Sequence, residues 1–259
     1  MDDEIELTGG NSNSAVVKVG NTVRRSMSAP SPSVHRLLKH LEECGFEKSP
    51  KFLGIDDEGR EILSFIPGSC EITATAWKSE TTLVSAANLL RDLHEALTQY
   101  PTKPDDIWRY EYLDKNQHEV ICHNDFGLYN VVIQDNSCIG VIDFDLAGPG
   151  PRLRDIAYAA YWFVPLSQAA EDMRKYAIAD VENGSRRFKS FCRAYGVCPN
   201  KELLDMTGEV LHEMADEKLM RDLIGEEQTV KLKLDGHLDH WAREAHEFKQ
   251  YRHTIHTEG

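Results

Sequence analysis

The sequence contains no apolar run that approaches the roughly 20 residues required to span a bilayer. Its first four residues, MDDE, are acidic, and neither the basic start nor the hydrophobic stretch of a secretory signal follows them. We therefore expect a cytoplasmic protein that has no contact with a membrane.

Basic residues are also scarce. The chain has 29 Lys and Arg against 43 Asp and Glu, which gives a formal net charge of −14 at pH 7. Binding to a phosphate backbone requires clustered basic side chains, so this balance argues against nucleic acid as a partner. A negative field instead favours cationic small molecules, such as amino sugars or amino alcohols, by electrostatic enrichment.

No C-x-x-C pair occurs among the six cysteines. Scattered thiols in a chain of this length are typical of reduced core or surface residues, and they predict neither a disulfide framework nor a zinc site. We therefore expect no structural metal. The cysteines are Cys44, Cys70, Cys122, Cys138, Cys192 and Cys198.

The pattern of the chain changes at Pro67-Gly68. At 259 residues with 41% hydrophobic content, the protein can form one large or two ordinary domains. Short apolar runs around glycine turns come before this point and predict a small antiparallel lobe over residues 1–68, whereas residues 69–259 are largely helical. The fold class predicted is therefore α+β. Helices are expected over residues 34–44, 88–97, 156–164, 167–195, 201–224 and 229–251.

Residues 122–130, CHNDFGLYN, carry the most informative motif, an H-x-D-x-x-x-x-N pattern formed by His123, Asp125 and Asn130. An aspartate in this pattern can accept the proton of a hydroxyl group, and the asparagine amide oxygen can hold a divalent cation. Asp143, near the end of a later run expected to form a strand from Cys138 to Phe144, supplies a second and anionic ligand. These are the parts of a phosphoryl-transfer site.

The spacing between Asn130 and Asp143 predicts how these ligands meet. Two apolar runs rich in β-branched residues flank a turn at Asp135-Asn136-Ser137, which is the pattern of a β-hairpin. A hairpin brings its two ends together, so Asn130 and Asp143 are expected to lie side by side. Mg²⁺ prefers oxygen ligands in such an arrangement, with phosphate oxygens completing the shell.

His123, Asp125, Asn130 and Asp143, together with residues 155–158 (DIAY), resemble the aminoglycoside phosphotransferase and choline kinase family of small-molecule kinases. The resemblance implies a two-lobed, protein-kinase-like fold, with a small antiparallel β N-lobe and a larger, mainly helical C-lobe. It also implies ATP or GTP as the phosphate donor, Mg²⁺ as the cofactor and a small molecule with a hydroxyl group as the acceptor.

The resemblance extends toward the N-terminus. Residues 7–13, LTGGNSN, look like the family's phosphate-covering loop and place Gly9 and Gly10 at the nucleotide. Residues 62–68, ILSFIPG, look like the strand and hinge that bind adenine, which implies that backbone atoms near Phe65 and Ile66 contact the base.

The cation that grips the phosphates departs from the family pattern. Alignment by order places Arg25 where a strand lysine normally lies, and Lys18 on the preceding strand remains an alternative. The family also tends to carry a glutamate in the first helix that orients this cation. The matching residues here are Val34, His35 and Arg36, which include no acid.

In the mechanism implied by these residues, Asp125 orients the acceptor hydroxyl and takes its proton late. Asn130 and Asp143 hold Mg²⁺ across the phosphates. His123 braces the loop, and Asp145 has two open roles, in the metal shell or at the substrate. We further expect Asp155 to cap a helix that begins at residue 156.

A second interpretation is a nucleotide-binding pseudokinase or regulatory module that keeps the fold without turnover. The missing acid of the first helix and the arginine at the lysine position favour it, whereas the intact Asp125, Asn130 and Asp143 oppose it. The sequence leaves open the identity of the acceptor, the choice between ATP and GTP, a role in antibiotic resistance, and the choice between a monomer and a homodimer.

Overall fold

The computed structural model describes residues 4–7, 16–164, 166–167 and 181–257. The first part of the chain forms a five-stranded antiparallel sheet in the order β1-β2-β3-β5-β4. Gly20 and Gly59, both at positive φ, lie in the turns that join β2 to β3 and β4 to β5. The strands are β1 (Glu4–Leu7), β2 (Val16–Val19), β3 (Thr22–Arg25), β4 (Phe52–Ile55) and β5 (Glu61–Ser64).

One helix, α1 (Ser31–Glu43), packs against this sheet. Its leucines at helical spacing, Leu37, Leu38 and Leu41, are buried, and Gly45 at positive φ follows its end. The imidazole ring of His35 stacks on the ring of Phe52 in β4, with centroids 3.7 Å apart. The predicted helix over residues 34–44 is thus confirmed, with a start three residues earlier.

Polar contacts tie α1 to the segment that precedes the loop at residues 122–130. The guanidinium group of Arg36 pairs with Asp106. The backbone N–H of Ile107 donates to Ser33 Oγ at 2.8 Å. In the loop before the helix, Ser28 Oγ accepts a bond of 3.0 Å from Arg109 Nη2. The first helix is therefore held by both the sheet and the helical lobe.

After β5 the chain crosses to a larger, mainly helical lobe, where α3 runs through the centre. Ser79 caps α3 by accepting from the backbone N–H of Thr82, and the face with Leu83, Leu90 and Leu93 is fully buried. The helices are α2 (Ala74–Lys78), α3 (Glu80–Leu97), α4 (Arg152–Phe163), α5 (Val181–Tyr195), α6 (Lys201–Ala215), α7 (Glu217–Ile224), α8 (Glu226–Leu234) and α9 (His237–Tyr251).

Two of the predicted helices are interrupted. The helix expected over residues 201–224 breaks at Asp216, whose carboxylate accepts from the backbone N–H groups of Lys218 and Leu219 and so starts α7. The helix expected over residues 229–251 breaks at Gly236, which has a φ of 78°. Most of the segment 167–180 lies outside the described residues, so the helix predicted there is described only from Val181.

Two small sheets carry the loops between α3 and α4. One pairs β6 (Val120–Cys122) with β9 (Gly148–Gly150), and the other is the predicted hairpin of β7 (Val131–Gln134) and β8 (Ser137–Val141). Asp135 and Asn136 both have positive φ, as a two-residue turn of type I′ requires. The second strand ends at Val141, earlier than the sequence suggested, because Asp143 adopts the left-handed region with φ 65°.

The structure confirms the α+β class and the two-lobed architecture, with an antiparallel sheet in the N-lobe and helices in the C-lobe. The division into domains at residues 1–68 and 69–259 stays a prediction. None of the helices in the described ranges combines the length and apolarity that crossing a bilayer requires.

Candidate active site

The loop after β6 is fixed by a buried carboxylate. Asp155 Oδ2 accepts from the backbone N–H of His123 at 2.6 Å, and its Oδ1 accepts from that of Asn124 at 2.7 Å. His94 Nε2 lies 3.0 Å from Oδ2. Burial alone would raise the pKa of Asp155, but these hydrogen bonds and the neighbouring imidazoles outweigh it and hold the pKa below its usual range.

The expectation that Asp155 caps a helix at residue 156 was therefore wrong. Helix α4 begins at Arg152, after Pro151, and Asp155 lies in its first turn with its carboxylate directed at the loop. The sequence placed this residue near a helix start correctly, but its partners are more than 30 positions earlier in the chain.

His123 is buried beside this clamp. Its Nε2 lies 3.0 Å from the backbone carbonyl oxygen of Ile142, just before Asp143, and its ring packs against Phe144 with centroids 4.8 Å apart. Burial lowers the pKa of His123, so the neutral imidazole is favoured. The side chain thus joins the loop to the end of β8, which is consistent with the predicted bracing role.

The carboxylate of Asp125 is half-buried and receives a hydrogen bond on each oxygen. The hydroxyl of Tyr129 donates to Oδ1, and Asn130 Nδ2 donates to Oδ2 at 2.8 Å. Burial raises the pKa of Asp125 to about 7, and the negative charge of Asp143 acts in the same direction, while the hydrogen bonds oppose the shift. Asp125 and Asp143 therefore lie close enough for their charges to interact.

The hairpin brings Asn130 next to the segment that carries Asp143. The backbone N–H of Ile142 donates to the carbonyl oxygen of Asn130 at 2.9 Å, across the open end of the hairpin. The side chain of Asn130 is buried and uses its amide nitrogen on Asp125. The carboxylates of Asp143 and Asp145 are 44% and 43% exposed, so both are open to a ligand from the cleft.

Arg25 bridges the two lobes at this point. Its Nη1 lies 3.0 Å from Asp143 Oδ1, its Nη2 lies 2.6 Å from Asp145 Oδ1, and its Nε pairs with Glu61. Desolvation would lower the pKa of Arg25. The three carboxylates outweigh this effect and raise the pKa above its usual value, so the group stays charged. A lysine would present all its donors from one nitrogen. The planar guanidinium group presents them from three nitrogens, one toward each carboxylate, and this is how arginine differs from lysine here.

The acid that orients Arg25 comes from the sheet. Glu61 on β5 lies opposite Arg25 on β3 in the strand register, is 1% exposed, and also bonds His35 Nε2 on α1 at 2.5 Å. Burial raises the pKa of Glu61, but His35 and Arg25 outweigh this and lower it below its usual range. The absence of an acid in the first helix is thus compensated by a glutamate that the sequence analysis missed.

The predicted nucleotide-binding residues are brought together only in part. Lys18 lies on the same sheet face as Arg25, but its Nζ lies 4.9 Å from the ring centroid of Phe65. The backbone N–H of Phe65 donates to Asn21 at 2.9 Å, so it is already engaged, and Ile66 packs on Gly140 of the hairpin. Gly9 and Gly10 lie outside the described residues.

The chemistry of the donors around the hairpin fits a hard divalent cation. The available groups are carboxylate and amide oxygens, from Asp143, Asp145 and Asn130, at a partly exposed edge of the cleft. His94, Cys122 and Asp155 form another potential ligand group, but all three are fully buried and hydrogen bonded: His94 to Asp155, Asp155 to the loop, and the Cys122 thiol to the carbonyl oxygen of Pro151. That group serves the packing of the loop.

The amino-acid sequence matches the model of the phosphotransferase enzyme family over residues 96–188, which include the loop, the hairpin and α4. The trifolitoxin immunity protein of Rhizobium leguminosarum bv. trifolii is 38% identical over 166 residues, and the match covers 62% of each chain. This chain therefore spans less than two thirds of that relative.

Solved structures resemble the chain along nearly its whole length. The gentamicin complex of the aminoglycoside phosphotransferase APH(2″)-IIa has a TM-score of 0.58 at 17% identity and covers 95% of this chain and 93% of its own. Ethanolamine kinase from Plasmodium vivax has a TM-score of 0.63 at 12% identity and covers 96% and 84%. The resemblance to the aminoglycoside phosphotransferase and choline kinase family is thus confirmed, by the family model over residues 96–188 and by the shared protein-kinase-like fold elsewhere.

Proposed function

We propose that this protein is a small-molecule kinase, which transfers the γ-phosphoryl group of ATP or GTP to a hydroxyl group. The observation that carries the proposal is the convergence of Asp125, Asn130 and Asp143 at one end of the hairpin, beneath the guanidinium group of Arg25. A proton acceptor, oxygen donors for a metal and a cation for phosphate in one cleft are the requirements of phosphoryl transfer.

In this mechanism Asp125 receives the hydroxyl of the acceptor by hydrogen bonding and orients it toward the phosphate. The transition state is loose, so the carboxylate takes the proton late, and its raised pKa suits that step. Each oxygen of Asp125 already accepts one bond, from Tyr129 or Asn130, and each has a second lone pair for the acceptor.

Asn130 and Asp143 are the proposed ligands of Mg²⁺, and Asp145 is a third candidate because it is equally exposed. When bound, Mg²⁺ neutralises the charge that develops on the phosphate oxygens. Arg25 contacts Asp143 and Asp145 directly, so it is the cation best placed to bind the phosphates of the nucleotide. Lys18 lies over Phe65 and is proposed to face the base or the ribose.

We infer that the acceptor is a small molecule, with a cationic group favoured by the net charge of −14. The names of related proteins fit this class, since one similar structure holds gentamicin and another is an ethanolamine kinase. The name of the rhizobial relative refers to immunity against a toxin, so an antibiotic that bears a hydroxyl group belongs in the first panel of acceptors. A cytoplasmic location is proposed with this activity.

A nucleotide-binding module without turnover is the second candidate. The observation that favoured it was the missing acid of the first helix, and the contact of Glu61 with Arg25 weakens this argument. The two candidates differ in one observable, the formation of a phosphorylated product.

The proposal is tested by incubating the purified protein with Mg²⁺ and either ATP or GTP across a panel of aminoglycosides, choline, ethanolamine, amino sugars and macrolides. Nucleotide consumption and the mass of the acceptor are both measured. Asp125→Asn should abolish product formation. Asp135→Asn, an isosteric change at the exposed hairpin turn, is the matched control and should retain it.

Product in the wild type that is absent in Asp125→Asn supports the kinase. Binding of the nucleotide that depends on Mg²⁺, without product from any acceptor, supports the binding module. Failure to bind either nucleotide would contradict both candidates.

A further inference from the structure

The hydroxyl of Tyr129 is in direct contact with the carboxylate proposed to orient the acceptor. It donates to Asp125 Oδ1, while the hydroxyl of Tyr158 on α4 lies 2.6 Å away. The one hydroxyl hydrogen of Tyr129 is used on Asp125, so the oxygen of Tyr129 is left to accept from Tyr158. The three groups form a directed chain that ends on the proposed catalytic carboxylate.

The ring of Tyr129 is held by two neighbours. It packs edge to face with the ring of Trp162, with centroids 5.2 Å apart at an interplanar angle of 85°. It also lies against Gly127 of the same loop, where an added Cβ would come within 2.6 Å of the ring. A side chain at Gly127 would therefore displace the ring, and with it the hydroxyl that contacts Asp125.

We propose that Tyr129 is a positioning residue for phosphoryl transfer, which acts by locking the carboxylate of Asp125 in one orientation through its hydroxyl. The inference rests on the proposed function of the same site. Asn130 secures the second oxygen of Asp125, so the two bonds together fix the plane of the carboxylate and leave defined lone pairs for the acceptor hydroxyl. Tyr158 supports Tyr129 and lies one step further from the reacting atoms.

A purely structural role for Tyr129 makes a different prediction. If the ring only fills space beside Trp162, then phenylalanine preserves its packing and activity should not change. If the hydroxyl positions Asp125, its loss should lower kcat and leave the KM for the nucleotide unchanged, because Arg25 and the hairpin ligands are not touched.

The test compares Tyr129→Phe with Tyr158→Phe and with Tyr112→Phe, a matched loss of a tyrosine hydroxyl elsewhere in the same lobe. We expect Tyr129→Phe to lower kcat on the order of 10-fold, the usual effect of losing one hydrogen bond to a charged group. Tyr158→Phe should have a smaller effect, and Tyr112→Phe should have none. A kcat of Tyr129→Phe that stays unchanged, or that falls no further than the kcat of Tyr112→Phe, would overturn the proposal.

A second measurement needs no turnover and so separates this inference from the proposed kinase activity. The carboxyl carbon of Asp125 is observed by NMR in protein labelled with ¹³C-aspartate and assigned with Asp125→Asn. Tyr129→Phe should shift or broaden this signal, because the carboxylate loses its fixed orientation, and Tyr112→Phe should leave it unchanged. An unaltered signal in Tyr129→Phe would overturn the positioning role even if the protein proves to have no kinase activity.

Discussion

Arg25 and Glu61 face each other on neighbouring antiparallel strands, and the guanidinium Nε of Arg25 donates to the carboxylate of Glu61. The same carboxylate binds His35 of α1, and the same guanidinium group reaches Asp143 and Asp145 across the cleft. The proposed phosphate-binding cation is thus oriented from within its own sheet, by a strand glutamate that takes the place of a helix glutamate.

Replacement of Glu61 tests this relationship. Glu61→Gln keeps the shape of the side chain but removes the charge that holds Arg25, and a charge-assisted hydrogen bond contributes about 1.5–3 kcal/mol. We expect the KM for the nucleotide to rise about 10-fold or more. Steady-state kinetics with varied ATP measure it. Glu58→Gln, on the exposed turn between β4 and β5, should leave the KM unchanged, and equal values for both variants would refute the orienting role.

Asp155 should be a major source of loop stability. Asp155→Ala leaves two buried backbone N–H groups and His94 without their common acceptor, at a cost of about 3–5 kcal/mol. Thermal or urea unfolding measures the loss. The matched control is Glu95→Ala on α3, where an exposed carboxylate is removed and a change within about 0.5 kcal/mol is expected. A loss below about 1 kcal/mol for Asp155→Ala would contradict the clamp.

The raised pKa of Asp125 predicts a dependence of stability on pH. The carboxyl group binds its proton more tightly in the folded protein, where the pKa is about 7, than in the unfolded chain, where it is 3.8. The stabilisation that comes from this tighter proton binding is fully present below pH 3.8, the pKa in the unfolded chain, and is lost as the pH rises through about 7. Asp125→Asn, which carries no charge, should therefore unfold at a higher temperature than the wild type near pH 8, and the difference should shrink toward about pH 5.

Differential scanning calorimetry at both pH values measures this effect, with Asp135→Asn as the control that should follow the wild type. A constant difference between Asp125→Asn and the wild type across the range would show that Asp125 is already ionised at low pH.

Close packing at β9 gives a prediction for a glycine. A Cβ at Gly148 would lie 1.7 Å from the backbone oxygen of Tyr110, and backbone atoms cannot move aside as a flexible side chain can. Gly148→Ala should destabilise the protein by about 3 kcal/mol or fail to fold. Gly208→Ala within α6 meets only ordinary contacts at 3.8 Å or beyond, so it should be neutral or stabilise the helix by up to about 1 kcal/mol. Equal unfolding midpoints for the two variants would contradict the packing at β9.

The parts of the site that could be predicted from the sequence are local in the chain. The loop motif and the turn at Asp135 and Asn136 are specified by neighbouring residues, so the meeting of Asn130 with the segment of Asp143 follows from hairpin geometry. Local signals for the helix breaks at Asp216 and Gly236 were also present, since aspartate caps helices and glycine ends them.

The remaining features depend on pairing between distant segments. Glu61 meets Arg25 only because β5 lies next to β3, with β4 at the edge of the sheet, and that strand order is not written in the periodicity of either strand. Asp155 reaches His123 and Asn124 by packing of α4 under the loop, and the donation from Tyr129 to Asp125 requires a side-chain rotamer that the spacing does not specify. Such contacts require the tertiary structure.

The double attachment of α1 has a consequence for regulation. In protein kinases the position of the corresponding helix controls whether the cation and its acid are in place. Here α1 is anchored to the C-lobe through Arg36 and Ser33 and to the sheet through His35, while the acid itself sits on a strand. Because the acid lies on a strand, a movement of α1 would not carry it away from Arg25, and we expect the proposed activity to require no activating movement of this helix.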